Sequence, residues 1–378
     1  MNTPWSQSPS NRSETPMQRG KAGRGTVHIH LASRNLAMAS VRYRGLLPGC
    51  ALRALGWRVE IGSGDTLPAV DTALALAVKP LSDKDARWVQ RVARNDTPVV
   101  VDLCDNVFIE GYGGQGTVIG DRLASLCPEL AAMTVPTVAL RDVVIAHTGL
   151  SPQRVLVVPD IVETPALLER QKELLGERGG LMQRLRQAWP RPSAVPAAAG
   201  PVLLWFGNHG ASYANFGLQD LLLFADALAE AGKRAGAELW VVSNHRDKFE
   251  QVAAQLPITC RYFEWAPEIV DTLLPLADAC LAPSSLDAFS RTKSANRALK
   301  ALGRQVPVIA TPTDAYADLA GAVWLGDARE GVKTYLDDPA TRRRHLDAAR
   351  RIIAERYSFP SLQRTMAGVV AAVQREHA

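Results

Sequence analysis

Residues 277–312 read ADACLAPSSLDAFSRTKSANRALKALGRQVPVIATP, an order that predicts strand, polar loop, helix and strand. Ala279-Cys280-Leu281-Ala282 is a short apolar run of the kind a parallel strand covered on both faces requires. Pro283-Ser284-Ser285 ends it. The helix carries Lys293, Ser294, Asn296 and Arg297 near its start, and Gly303 marks its end. Val306-Pro307-Val308-Ile309-Ala310 returns as the next strand. A loop that follows a parallel strand and opens a cationic helix is a natural seat for a phosphate. Unsatisfied backbone N–H groups, the helix dipole and the Lys/Arg charges act there on one spot. Lys293 is the first candidate for that role and Arg297 the second, with Ser294 and Asn296 as hydrogen-bond donors. The competing reading is a solvated helix face.

The same alternation extends in both directions. Toward the N-terminus, strands are expected at 26–31, 58–61, 72–78, 98–103, 130–135 and 154–158, with helices at 42–55, 82–95 and 138–146. Pro48 is expected to delay the first helix, and Ser82 and Thr137 to cap the others. A second series restarts with Pro201-Val202-Leu203-Leu204-Trp205-Phe206-Gly207 and ends in helices over 327–356, broken at Asp338-Pro339, and 361–376. Strands alternating with helices argue an α/β fold with parallel sheets covered on both faces. The expected organisation is a disordered tail at 1–25, a Rossmann-like domain at 26–165, an amphipathic helix and linker at 166–200, a second Rossmann-like domain at 201–356, and a C-terminal helix at 357–378.

A length of 378 residues suits two cores better than one. Hydrophobic residues at 47% and charged residues at 21% are ordinary for a globular chain. The net charge is +5, and residues 1–25 hold +3 of it (Arg12, Arg19, Lys21 and Arg24 against Glu14). The remainder is near neutral, which argues against a nucleic-acid partner. No run of 18 apolar residues occurs, and the N-terminus lacks the apolar core of a signal peptide. The five cysteines lack C-x-x-C spacing and read as free thiols in a reducing cytosol. A cytoplasmic protein is therefore expected. The basic amphipathic stretch 165–189 leaves peripheral contact with an anionic membrane face open beside packing on a domain. His28 and His30 sit on an alternating strand and read as packed, His147 and His209 have no metal-ligand spacing to another His or Cys, and Asp102-Leu103-Cys104-Asp105 is not Asp-x-Asp, so no metal site is expected. Gly111-Tyr112-Gly113-Gly114-Gln115-Gly116 matches Gly-x-Gly-x-x-Gly, but it neither follows a strand directly nor opens a clear helix pattern, and reads as a glycine loop.

From residue 26 onward the chain resembles bacterial glycosyltransferases of the GT-B fold, similar to the large family 4 type. The residues that carry the resemblance are Ser40 to Gly45 after the first strand, Val99 to Asn106, Val155 to Asp160, Trp205-Phe206-Gly207-Asn208, Glu264-Trp265-Ala266-Pro267, Leu281-Ala282-Pro283-Ser284 and Val306 to Pro312. The resemblance implies two Rossmann-like domains facing a cleft, with the C-terminal helix crossing back to the first. It implies metal-independent transfer of a hexose-type unit, with retention of configuration. The donor is a nucleotide-sugar, and the acceptor a glycan, a lipid-linked or a small molecule. It places Gly207, Asn208, Glu264, Trp265, Ser284 and Asp287 on the donor side, with Glu264 and Trp265 framing the base. Arg42 and Arg44 fall on the acceptor side, where they suit a phosphorylated or acidic acceptor, and Asp105 is the acceptor-orienting group. Trp265 reads equally as a core aromatic, and Asp105 and Asp287 as helix caps. The chain departs from the family at a pair of glutamates eight positions apart, where it has Thr292 and Lys300. That departure keeps two alternatives open: a nucleotide-sugar-binding protein without transfer, and another activity of the fold such as epimerisation.

Overall fold

The computed structural model describes residues 24–176, 197–214 and 216–376. The tail expected to be disordered and most of the expected amphipathic helix and linker lie outside these residues. Among those described, twelve strands form two six-stranded parallel sheets. The first holds β1 (Thr26–Leu31), β2 (Arg58–Gly62), β3 (Thr72–Val78), β4 (Val99–Asp102), β5 (Ala132–Val135) and β6 (Val155–Val157) in the order β2-β1-β3-β4-β5-β6. The second holds β7 (Val202–Phe206), β8 (Glu238–Ser243), β9 (Thr259–Glu264), β10 (Ala279–Ala282), β11 (Val308–Ala310) and β12 (Trp324–Leu325) in the order β12-β11-β10-β7-β8-β9. β4, β5, β7, β8 and β10 are buried along their whole length and read largely as apolar runs; β1 is equally buried although its sequence alternates, with His28 and His30 inside. Each sheet has a point where the strand order reverses, between β1 and β3 and between β7 and β10. Loops leaving the carboxyl ends of strands at such points diverge and leave a crevice.

The first helix differs from expectation in an informative way. It does not wait for Pro48 but starts at Val41 with a wide turn to Leu46, then runs regularly over Leu47–Ala54. In the wide turn the Leu47 N–H donates to the Arg42 carbonyl, five residues back. Pro48 has no N–H and its ring crowds the carbonyl one turn earlier, so the widened turn relieves the clash. A second difference is a helix at Val118–Leu126 just after the glycine run. Gly120 packs against Phe108, where a larger side chain would not fit, and breaks the apolar pattern that would have announced the helix.

After β6 the chain touches the second lobe at Val162, and the helix Pro165–Leu174 then packs back on the first. The last helix, Phe359–Glu376, returns from the second lobe to the first. The two segments meet where the Val162 N–H donates to the Tyr357 carbonyl at 2.9 Å. Leu362, Met366, Val369, Val370 and Val373 of the last helix join the core of the first lobe beside Ile29 and the Leu47–Ala54 helix.

Candidate functional site: the cleft between the lobes

Segments after β1, β3, β4 and β6 of the first lobe and after β7 to β11 of the second surround one cleft of about 710 Å³. That volume suits a ligand of nucleotide-sugar size. Lys293, Arg297, Asp105, Gly207, Asn208, Trp265, Ser284, Ser294, Asn296, Arg42 and Arg44 all line it, whereas Glu264 and Asp287 do not.

The second lobe supplies a cationic helix start as the candidate anion seat. The helix spans Asn296–Gly303, and its N-cap, Ala295, has no side chain to serve the first turn. Ser294 lies next to the cap, but its hydroxyl donates across the cleft to Asp160 Oδ2 at 2.5 Å. The first N–H groups therefore keep their pull on an incoming anion. Arg297, on the first turn, lies over the Trp205 ring with its guanidinium carbon 4.9 Å from the centroid. Among the described residues no carboxylate lies within ion-pair distance of it. The guanidinium also passes directly over Gly207, where a Cβ would stand 2.6 Å from Nη2. Gly207 thus serves close approach, not only the turn.

Beneath this seat is Asp220, which the sequence reading did not single out. Its carboxylate accepts the N–H groups of Gly217 and Ser285, each at 3.1 Å, and so ties the loop after β7 to the loop after β10. Burial pushes its pKa up to about 6, against the opposing pull of Arg297. Nothing in the apolar run around it (LQDLLLF) marks it in advance.

Asp105 sits at the centre. Lys79 of the first lobe bonds its Oδ2, and Lys293 of the second bonds its Oδ1. Burial alone would raise the Asp105 pKa, but the two ammonium groups outweigh it and hold the carboxyl far below its ordinary value. Lys293 also lies over the Phe289 ring at 4.1 Å and the Phe216 ring at 5.5 Å. These rings, with Tyr213, form an aromatic wall against Tyr112 of the first lobe.

Arg42 and Arg44 reach the cleft wall already paired. Arg42 Nε donates to Glu163 at 2.9 Å. Arg44 forks onto Asp102 at 2.8 and 3.0 Å, and its Nη1 reaches Asp160 and the Val158 carbonyl at 2.8 and 2.7 Å. Lys300, at one of the two glutamate positions, is buried between Glu163 at 3.4 Å and Asp271 at 2.9 Å. The other, Thr292, receives the Thr137 hydroxyl on its carbonyl at 2.8 Å and is equally committed to the lobe interface.

The remaining candidates are placed as follows. Asn208 Oδ1 accepts the Gly210 N–H at 2.9 Å and shapes its own turn. Ser284 is fixed by its N–H on Thr311 Oγ1 at 3.1 Å. Trp265 is half-buried, near-parallel to Phe206, with its indole N–H on the Ala37 carbonyl of the first lobe at 3.4 Å. Glu264 is exposed and accepts the Tyr262 hydroxyl at 2.9 Å. Asp287 accepts the N–H groups of Phe289 and Ser290 at 3.1 and 2.7 Å, a local cap. Among the described residues no three His, Cys, Asp or Glu side chains gather as metal ligands would, and no helix is long and apolar enough to cross a membrane.

No protein-family model matches the chain, and no curated protein is similar to it in sequence. Solved structures are similar in fold. Anabaena Alr3699/HepE in complex with UDP-glucose aligns over 92% of this chain and 100% of its own, with TM-score 0.60 and 12% identity. A glycosyltransferase from Rickettsia africae aligns over 93% and 98%, with TM-score 0.63 and 11% identity. An E. coli structure described as trehalose-6-phosphate bound with UDP-2-fluoro glucose aligns over 92% and 99%, with TM-score 0.60 and 9% identity. The chain therefore has the two-lobed GT-B architecture, and structures of that fold cover 92–93% of it.

Proposed function

We propose that this protein binds a nucleoside-diphosphate sugar in the interlobe cleft and transfers the sugar to an acceptor hydroxyl. The observation that carries this reading is Arg297. Among the described residues this guanidinium has no carboxylate within ion-pair distance, and it lies beside an uncapped helix start, over a glycine, inside a cleft of the right size. Similar folds hold UDP-glucose and UDP-2-fluoro glucose, which favours a nucleotide-sugar over other anions.

In this reading the diphosphate lies on the first-turn N–H groups of the Asn296–Gly303 helix, with Arg297 and Lys293 taking the charge that develops as the sugar–phosphate bond breaks. These cations do the work of a divalent ion, so no metal is required. Asn296 and Ser284 contribute hydrogen bonds on the donor side, and Trp265 offers a face to the base. The acceptor, a glycan or a lipid-linked or small molecule, enters against the first lobe. Arg42 and Arg44 act there through the carboxylates they hold. Retention of anomeric configuration belongs to the same proposal. Closed lobes exclude water from the donor.

Calorimetric titration with UDP-, GDP- and ADP-sugars tests it. One of them binds the wild type, and Arg297→Ala and Lys293→Ala each weaken binding at least about tenfold. No binding by any of the three contradicts the proposal. Lys300 favours one second reading, donor binding without transfer, because the glutamate position it replaces is locked into the lobe interface. A donor that binds but yields neither hydrolysis nor transfer across an acceptor panel selects that reading.

A further inference from the structure

Lys79 belongs to none of the sequence motifs. It directly follows β3 in a left-handed backbone conformation with φ +48°, strained for a residue with a side chain, and Pro80 follows. Its N–H donates to the Asp102 carbonyl at 2.9 Å, which fixes the turn at the reversal point of the first sheet. The ammonium then reaches Asp105 Oδ2, while Lys293 arrives from the other lobe on Oδ1. The carboxylate is 11% exposed, and the Lys79 and Lys293 side chains are 21% and 37% exposed. One buried anion therefore stands between two cations, one from each lobe. The Tyr112 hydroxyl, 3.4 Å from Oδ2, and the Cys104 thiol, 3.8 Å from it, also donate to it.

Lys293 is three residues before the start of the anion-seating helix, so Asp105 and an incoming diphosphate compete for the same ammonium. We infer that Lys79 is the positioning residue that decides this competition: it holds Asp105 within the first lobe and releases Lys293 to the diphosphate. Release uncovers Asp105 Oδ1, which then accepts a hydrogen bond from the acceptor hydroxyl. Asp105 stays ionised throughout because Lys79 remains on it. Donor binding precedes acceptor binding and creates the acceptor's anchoring point. The inference deepens the proposed transferase reading and rests on it.

The test is a double-mutant cycle on the full chain, read as affinity for UDP, GDP and ADP by calorimetry. D105N, which frees Lys293, binds the preferred diphosphate about tenfold tighter than the wild type. K79M, which leaves Asp105 to Lys293 alone, binds several-fold weaker, and K79R restores binding. K79M/D105N matches D105N within about twofold, because Lys79 acts through Asp105. Long-range charge alone would instead weaken both backgrounds by the same factor. That additive result overturns the inference, as does weaker binding by D105N. If D105N does not fold, unchanged affinity in K79M overturns it. Wild type that binds none of the three diphosphates sinks the transferase reading itself, which separates the two failures.

Discussion

Arg297 meets an aromatic face below and a glycine alongside, so its position depends on the smallest of its neighbours. Gly207→Ala places a methyl group 2.6 Å from Nη2. The guanidinium end is flexible and gives way, but the methyl also meets the buried Trp205 ring at 3.2 Å. The expected result is a slightly lowered melting temperature and donor affinity reduced roughly three- to tenfold, measured by thermal shift and calorimetry. Asp220 predicts a pH dependence. Burial pushes its pKa up to about 6, so below that value it is neutral and no longer offsets, from beyond ion-pair distance, the positive charge of Arg297. UDP-glucose keeps a constant diphosphate charge over this range and should bind more tightly as pH falls from about 7.5 to about 5.5. Asp220→Asn should remove the slope; the same slope in that variant would contradict the assignment. The sign for stability agrees. A carboxyl with a raised pKa in the folded protein stabilises it most when protonated, and that contribution is lost as pH rises from 3.8 through about 6.

The helix Asn296–Gly303 shows what the sequence displayed and what it hid. Its place after β10, its cationic start and its glycine end were legible from one apolar run, one polar loop and one breaker. Lys293 and Arg297 were legible as a pair, and both line the cleft. What each charge is paired with was not, because the partners are distant in sequence. Arg44 meets carboxylates 58 and 116 residues away, and Lys300 meets Glu163 137 residues away. Lys79 and Asp220 were missed for the same reason: a strained turn and a buried carboxylate between two loops have no local pattern. Lys300 also yields a prediction. Its side chain is 4% exposed, between Glu163 at 1% and Asp271 at 11%. Lys300→Glu, which restores one of the two glutamates of the family pattern, would bury three carboxylates together. Denaturant unfolding should show a loss of about 3 kcal/mol or more. A loss below about 1 kcal/mol would mean the network is not as closed as the geometry shows.

At the scale of the whole molecule, the lobes meet through polar bonds as well as charge. Asn106 donates to the Ala288 carbonyl at 3.1 Å, Thr137 to the Thr292 carbonyl at 2.8 Å and Ser294 to Asp160 at 2.5 Å. The two-sheet plan was readable from the alternation of strands and helices, and the return of the last helix from the resemblance to the GT-B fold; the closed cleft was not, since it is built from such single contacts. Truncation before Phe359 strips five buried apolar side chains from the first lobe. At about 1.5–3 kcal/mol each, their loss exceeds the margin of an ordinary domain. The truncated chain should unfold at markedly lower temperature or fail to fold, and an unchanged melting temperature would contradict the helix's place in that core. The most direct test of the central claim is a crystal structure with a bound nucleoside-diphosphate sugar. The account predicts the diphosphate at the start of the Asn296–Gly303 helix, within hydrogen-bond reach of Arg297, with Lys293 turned from Asp105 toward it. A diphosphate bound elsewhere, with Arg297 untouched and the Lys293–Asp105 pair intact, would contradict it.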